Sequence, residues 1–295
     1  MKYRTVFLVV LGIPALCLAS QPDPFSASCA MLNRIAVRAS QSQTSALALD
    51  VLERISLGRT EGIGDEIVAQ VGVSPAEFRQ TAFNDPTVRG CAFRSLGQTG
   101  LTEVVNFLTA LKVADVAPDS TQEVWPAAQI ALREALLIQA PDAYAKVEFL
   151  EKTLESGSDA ISNSAVASWA VDQLCDRGSL RSLPVVQSSI RKRDPFQTGL
   201  EEIAFCEARV QVLSRDPNRA KALGSVLQTS ASRPDARLIT WAVRQLNSLH
   251  TAEADRQLEN FAAAIGKLPA NTSENGDLYQ LRREILERSK SDQIQ

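Results

Sequence analysis

One histidine stands in the whole chain, His250, and that scarcity removes more chemistry than any residue present adds. A histidine-based zinc site needs several imidazoles, and the cysteines lack the paired C-x-x-C spacing of a thiolate site, so no metal is expected. A Ser/His/Asp triad would have to use His250, but that residue directly precedes Thr251 at an expected helix start and reads as a turn residue before a cap. Aromatics make up only 5 % of the chain. No run alternates apolar and polar residues over strand length, which excludes a β-rich fold. Arg191-Lys192-Arg193 is the only dense basic run, and Asp194-Pro195 follows it at once, so it reads as the cationic end of a helix. With a formal net charge of −3 and no basic block, a nucleic-acid partner is not expected.

Other catalytic signatures are equally thin. Gly58 to Gly64 carries three glycines but lacks the lysine and the preceding strand of a phosphate loop; it reads as a loop, and no cofactor is expected. Glu201-Glu202, and Glu151 with Glu155, come nearest to the carboxylate pair of a glycoside hydrolase. In an acidic helical chain they read as solvated surface charge.

What the chain does contain is a loose internal repeat. Alanine recurs at Ala92, Ala131, Ala170, Ala208 and Ala242, at intervals of 34 to 39 residues. Four residues after each stands an apolar residue: Leu96, Ala135, Leu174, Val212 and Leu246. Sixteen residues after the anchors come Leu108, Val147, Val186, Gly224 and Leu258, and nineteen after come Leu111, Leu150, Ser189, Leu227 and Phe261. An anchor helix followed by a second helix with its inner face at those offsets is an antiparallel pair. Each helix has about 15 residues and is about 22 Å long. Fixed-period similarity of this size marks stacked units that bury their apolar faces only against neighbours.

Helix starts are signalled by Asp85-Pro86, Asp194-Pro195 and Asp216-Pro217, each a capping acceptor before a proline. Ser74-Pro75-Ala76-Glu77 has capping-box spacing, and Pro126, Pro141 and Pro234 mark further starts. The expected order is a helix over 24–39, another over 43–56 with Ala48 and Leu52 as an earlier anchor pair, and two short helices near 64–71 and 75–83. Five pairs follow at 86–112, 125–156, 160–193, 195–229 and 234–267. A polar linker carries Asn271-Thr272-Ser273, a glycosylation sequon that has no meaning in a bacterial periplasm. A last helix near 277–290 turns Leu278, Leu281 and Ile285 to one side. Trp169 and Trp241 precede equivalent anchors, with Trp125 at an earlier helix start, and they read as interhelical packing rather than ligand platforms.

The first twenty residues read as a secretory signal peptide: Lys2 and Arg4, an apolar run from Val6 to Leu18, then small residues at Ala19 and Ser20. About 13 apolar residues fall short of the ~20 that span a bilayer, and Leu16 before Cys17 argues against lipidation. Removing Lys2 and Arg4 leaves 29 bases against 34 acids, a net charge of about −5. Four cysteines then remain, Cys29, Cys91, Cys175 and Cys206, and an even number in an exported chain favours disulfides. Sequence order favours Cys29–Cys91 and Cys175–Cys206. In the register set by Ala170 and Ala208, however, the second pair would stand roughly 10 Å apart along the axis, beyond the ~7 Å limit for a bridge. Only a register slip or strong tilt would allow it.

The stretch Asp85-Pro86-Thr87-Val88-Arg89-Gly90-Cys91-Ala92-Phe93-Arg94-Ser95-Leu96-Gly97 resembles the first helix of a HEAT repeat of the short, bacterial, lyase-associated kind. Ser168-Trp169-Ala170 and Thr240-Trp241-Ala242 keep the helix core without the upstream Asp-x-x-Val-Arg pattern. The resemblance implies an all-α fold, a right-handed α-solenoid of about five to six HEAT-like helix pairs with terminal capping helices. It also implies a binding scaffold with no catalytic residue, since the motif is a packing motif. The expected division is signal peptide 1–20, N-terminal helical cap and first helices 21–84, HEAT-like repeats 85–267, linker 268–276, and C-terminal capping helix and tail 277–295.

The function expected is therefore a non-enzymatic protein-binding scaffold of the periplasm or extracellular space, its partner unidentified, with no membrane insertion after signal cleavage. Exposed polar positions of the second helices, Asn106, Lys146, Gln187 and Arg256, are the expected partner contacts. A self-associating structural subunit of an envelope assembly is the alternative, and a carboxylate-only hydrolase a third.

Overall fold

The computed structural model describes residues 24–41, 45–116, 121–155, 160–229 and 236–265, with positions 283 and 285. The signal-peptide reading, the helix start at Pro234, the linker with its sequon, and most of the last expected helix lie outside the described residues. Among the described residues the chain is all-helical, with fourteen α-helices and no strand. It divides into two compact units, Met1–Thr99 with Lys112–Val124, and Gly100–Leu111 with Trp125–Gln295.

In the first unit, α1 (Pro24–Ala39), α2 (Ser45–Ser56) and α5 (Pro86–Thr99) pack on one another, and the short α3 (Asp65–Gln70) and α4 (Pro75–Gln80) form a pair. The packing follows helical spacing. Met31, Leu32, Ile35 and Ala39 of α1 are buried with Ala48, Leu52 and Ile55 of α2 and Val88, Ala92, Phe93 and Leu96 of α5. Cys29 and Cys91 form a disulfide with their Cα atoms 5.4 Å apart, joining α1 to α5. Val88-Arg89 of the HEAT-like stretch is buried. Arg89 Nε donates to the Ser56 carbonyl at 3.1 Å, a cation at the C-terminus of α2 where unpaired carbonyls favour it. Gly58, in the turn after α2, has φ +70°, and a β-carbon there would stand 3.4 Å from Arg89 Nε. That turn favours glycine for its left-handed backbone.

The second unit contains α6 (Thr102–Ala110), α7 (Thr121–Gln139, from Trp125 on), α8 (Ala143–Glu155), α9 (Ala160–Arg177) and α10 (Leu183–Arg193). It continues with α11 (Gln197–Arg215), α12 (Arg219–Thr229), α13 (Ala236–Leu249) and α14 (Ala252–Ile265). From α8 onward each helix packs on the helices next to it and next-but-one in sequence: α8 on α9 and α10, α9 on α10 and α11, α11 on α12 and α13, α12 on α13 and α14. Two apolar clusters follow this order. One gathers Leu137, Leu150, Leu174, Ile190, Ile203 and Val210. The other gathers Val212, Leu223, Ile239, Leu246, Leu258 and Ile285.

Helices form close to the expected bounds, and α9 with α10, α11 with α12 and α13 with α14 pack as pairs, but one anchor departs from the expected register. Ala92, Ala131, Ala170 and Ala242 are buried, whereas Ala208 is half-buried; Cys206, Arg209 and Val210 take the inward face of α11 instead. This slip resolves the objection to the second disulfide. Cys175 and Cys206 are bonded, with their Cα atoms 5.2 Å apart, because α9 and α11 do not meet in the Ala170–Ala208 register. The approach is close: Gly178, at φ +71° just after α9, would place a β-carbon 2.6 Å from Leu213 of α11.

Three helix starts also differ from expectation. Asp85 accepts a bond from the Thr87 amide at 2.8 Å at the start of α5, as expected. Asp194 and Asp216 stand three residues before α11 and α12 begin, accepting from Phe196 N at 2.9 Å and Asn218 N at 2.7 Å, while the Asp194 carboxylate also accepts from Thr198 and the Gly199 amide in the first turn of α11. Pro126 lies inside α7, whose start is earlier. Ser74 makes no side-chain cap, and Glu77 pairs instead with Arg34 at 2.5 Å. His250 sits in the turn between α13 and α14 at φ +46°, and Thr251 Oγ1 accepts from the Ala254 amide at 3.3 Å, the cap expected there.

Ala170 is fully buried against the first of these clusters. Ala170→Leu is expected to overpack it and cost roughly 1–3 kcal/mol, read as a lower urea midpoint. A variant that unfolds with the wild type would contradict this packing.

Candidate functional site

Two concavities of the second unit are built from side chains the sequence singled out in part. The first is a cleft of about 530 Å³ on the α9–α11–α13 row. Its centre is Arg209 on α11, whose side chain is 5 % exposed. Asp172 and Asp176 are one turn apart on α9, so both carboxylates face the same guanidinium. Arg209 Nη1 donates to Asp172 Oδ1 at 2.9 Å, and Nη2 donates to the Asp172 carbonyl at 3.1 Å and to Asp176 Oδ1. Asp176 also accepts from Trp241 Nε1 at 2.8 Å and Gln245 Nε2 at 3.2 Å, two donors one turn apart on α13. The guanidinium lies over the Phe205 ring (5.2 Å to the centroid) and the Trp241 ring (5.6 Å), and Arg237 covers Phe205 at 4.4 Å. Burial lowers the pKa of Arg177 and Arg219 beside this cluster, with Asp176 acting in the opposite direction. Both stay charged, because an arginine begins far above neutral pH. Trp241 is thus a packing and hydrogen-bonding residue, and Trp169 packs against the neighbouring apolar cluster. Both Arg209 Nη atoms, both Asp176 oxygens and the Trp241 N–H are engaged across three helices, with Arg209 Nε left without a partner, so the arrangement is a staple between elements.

The second concavity is a groove of about 1000 Å³ between α7, α8, α9 and α10. Leu132 and Leu136 come from α7, Phe149 and Leu154 from α8, Val166 from α9, and Val185 from α10, so apolar side chains from all four helices form its lining. Four cations and one carboxylate join them: Arg133, Lys152, Lys192, Arg193 and Glu155. Lys152 pairs with Glu148 at 2.8 Å. Arg193 bonds Ser168 on α9 and pairs with Glu202 on α11 at 3.2 Å. Among the described residues Arg133 has only neutral partners, the Gln129 carbonyl and side-chain oxygen, both at 3.0 Å, and burial lowers its pKa. The Arg191-Lys192-Arg193 run does end α10, as its dipole reading requires, but it also sets two charges on the groove.

The four expected contact residues lie apart. Asn106 of α6 and Arg256 of α14 are exposed, Lys146 of α8 and Gln187 of α10 are half-buried, and none of the four lines the groove. Gln187 donates to Glu207 at 2.5 Å, and Arg256 pairs with Glu253 at 3.1 Å. Of the carboxylate pairs, Glu151 accepts from Ser182 at 2.9 Å and Glu202 holds Arg193. Among the described residues no group of three or more His, Cys, Asp or Glu could hold a metal ion, and no helix is long and apolar enough to cross a membrane. The groove escaped sequence reading because its walls come from four helices at unrelated spacings. Its nearest signal was Gln129 and Arg133 on one helix face. No family model, curated protein or solved structure matches this chain.

Two outcomes follow for the charged groups. Arg209→Ala leaves Asp172 and Asp176 without their cation, and a stability loss of about 3 kcal/mol is expected by chemical denaturation; an unchanged midpoint would refute the staple. In the first unit, burial and then the nearby Asp50 raise the pKa of Glu53. A carboxyl raised in the folded state is favoured while protonated, and its contribution is lost as pH rises through the folded value. Glu53→Gln should therefore stabilise the protein at pH 7, and the gain should vanish below the ordinary glutamate range of ~4.3. A gain independent of pH would assign it to packing.

Proposed function

We propose that the chain is an exported protein-binding scaffold, a right-handed solenoid of HEAT-like helix pairs that holds a partner protein and performs no catalysis. The observation that carries this reading is the groove between α7, α8, α9 and α10, about 1000 Å³ and lined by apolar side chains with charges among them. A concave surface on rigid helices offers recognition at little ordering cost. Packing of each helix from α8 to α14 on its sequence neighbours supports the repeat interpretation, because stacked units bury their faces only on adjacent units. Two disulfides suit an oxidising compartment, in line with export behind a signal peptide over residues 1–20. The carboxylate-hydrolase reading loses ground, since Glu151 and Glu202 are each engaged with a partner side chain.

A photoreactive amino acid at Ser188, which lines the groove, tests this reading in the cells that make the protein. Cross-linking to one foreign protein is expected from Ser188 and not from exposed Arg94 on α5. Cross-links only between copies of the chain would favour the structural-subunit alternative, and none at all would contradict the scaffold.

A further inference from the structure

The charges of the groove are poorly balanced by the protein itself. Lys152 and Arg193 have carboxylate partners, but Arg133 has only the neutral oxygens of Gln129, and Lys192 has no ion pair among the described residues. An arginine moved out of water without a counterion is costly, and here it stands next to Leu132 and Leu136 on the same wall. The chain as a whole carries a net charge of −3, whereas the groove holds four cations, two of them paired, and one carboxylate, so its local field favours an anionic group.

Resting on the scaffold reading, we propose that the groove takes a segment of the partner protein bearing both acidic and apolar side chains. Its carboxylates stand against Arg133 and Lys192, and its apolar side chains lie on Leu132, Leu136, Phe149 and Val185. Two uncompensated cations on an apolar strip suit carboxylates set among hydrophobic residues. Nucleic acid would need many more phosphate contacts. A concave strip offers nothing to insert into a bilayer, whose peripheral binders present a protruding apolar face.

The test is selection of short random peptides, displayed on phage, against the mature protein, followed by fluorescence anisotropy of the enriched peptides. Enrichment of Asp and Glu together with Leu, Ile or Phe is expected, and binding should weaken as salt rises. Lys192 is exposed, so Lys192→Glu should fold normally and weaken binding about tenfold or more, with Arg133→Gln as the second variant. Enrichment of basic or purely apolar peptides, no enrichment, or affinity unchanged by Lys192→Glu would overturn the proposal. If Ser188 still cross-links a foreign protein in that case, the scaffold survives and only the acidic occupant is lost. If Ser188 captures nothing either, both fall.

Discussion

The second unit is organised around one buried guanidinium. Arg209 is 5 % exposed, and a cation so far from water must be matched by opposite charge and hydrogen bonds. Asp172 and Asp176 supply both from α9, while Trp241 and Gln245 reach the same carboxylate from α13. Because each pair is spaced one turn apart, sliding any of the three helices by a single residue would rotate its groups away from the others. The Cys175–Cys206 disulfide closes the same α9–α11 contact covalently. With three helices held in one register, α12 and α14 have defined surfaces to pack on, and Leu223, Leu246, Leu258 and Phe261 are buried in one cluster.

The same register shapes the groove. Arg193 ends α10, bonds Ser168 on α9 and pairs with Glu202 on α11, so one wall is tied to the row that Arg209 holds. The apolar lining remains open because the α7–α10 helices bury their closest-packed faces elsewhere: Leu150, Val186 and Ile190 are buried in the adjoining core. Arg133 and Lys192, which have no ion pair among the described residues, thus stand beside an open apolar strip.

Much of the secondary structure was legible in the sequence, because prolines and Asp-Pro dipeptides punctuate it and the Ala-x-x-x-apolar spacing recurs. The lateral register was not. Alanine fits any face of a helix at little cost, so Ala208 imitated an anchor while standing half-buried. A truer signal was present in Phe205 with Arg209 and Arg237 with Trp241, two turn-spaced pairs 32 residues apart that stack on each other. The capping-box reading of Ser74 failed for a related reason. A local motif competes with tertiary partners, and Glu77 found Arg34 across the first unit. The groove could not be read at all, since its lining belongs to no single periodicity.

A peptide map of the purified protein, digested without reduction and read by mass spectrometry, tests the central register most directly. The account predicts a linked peptide pair containing Cys175 and Cys206, another containing Cys29 and Cys91, and no free thiol among these four. Cys175 or Cys206 found as a free thiol, or either one bonded to Cys29 or Cys91, would contradict the alignment of α9 with α11 on which the staple and the groove both depend.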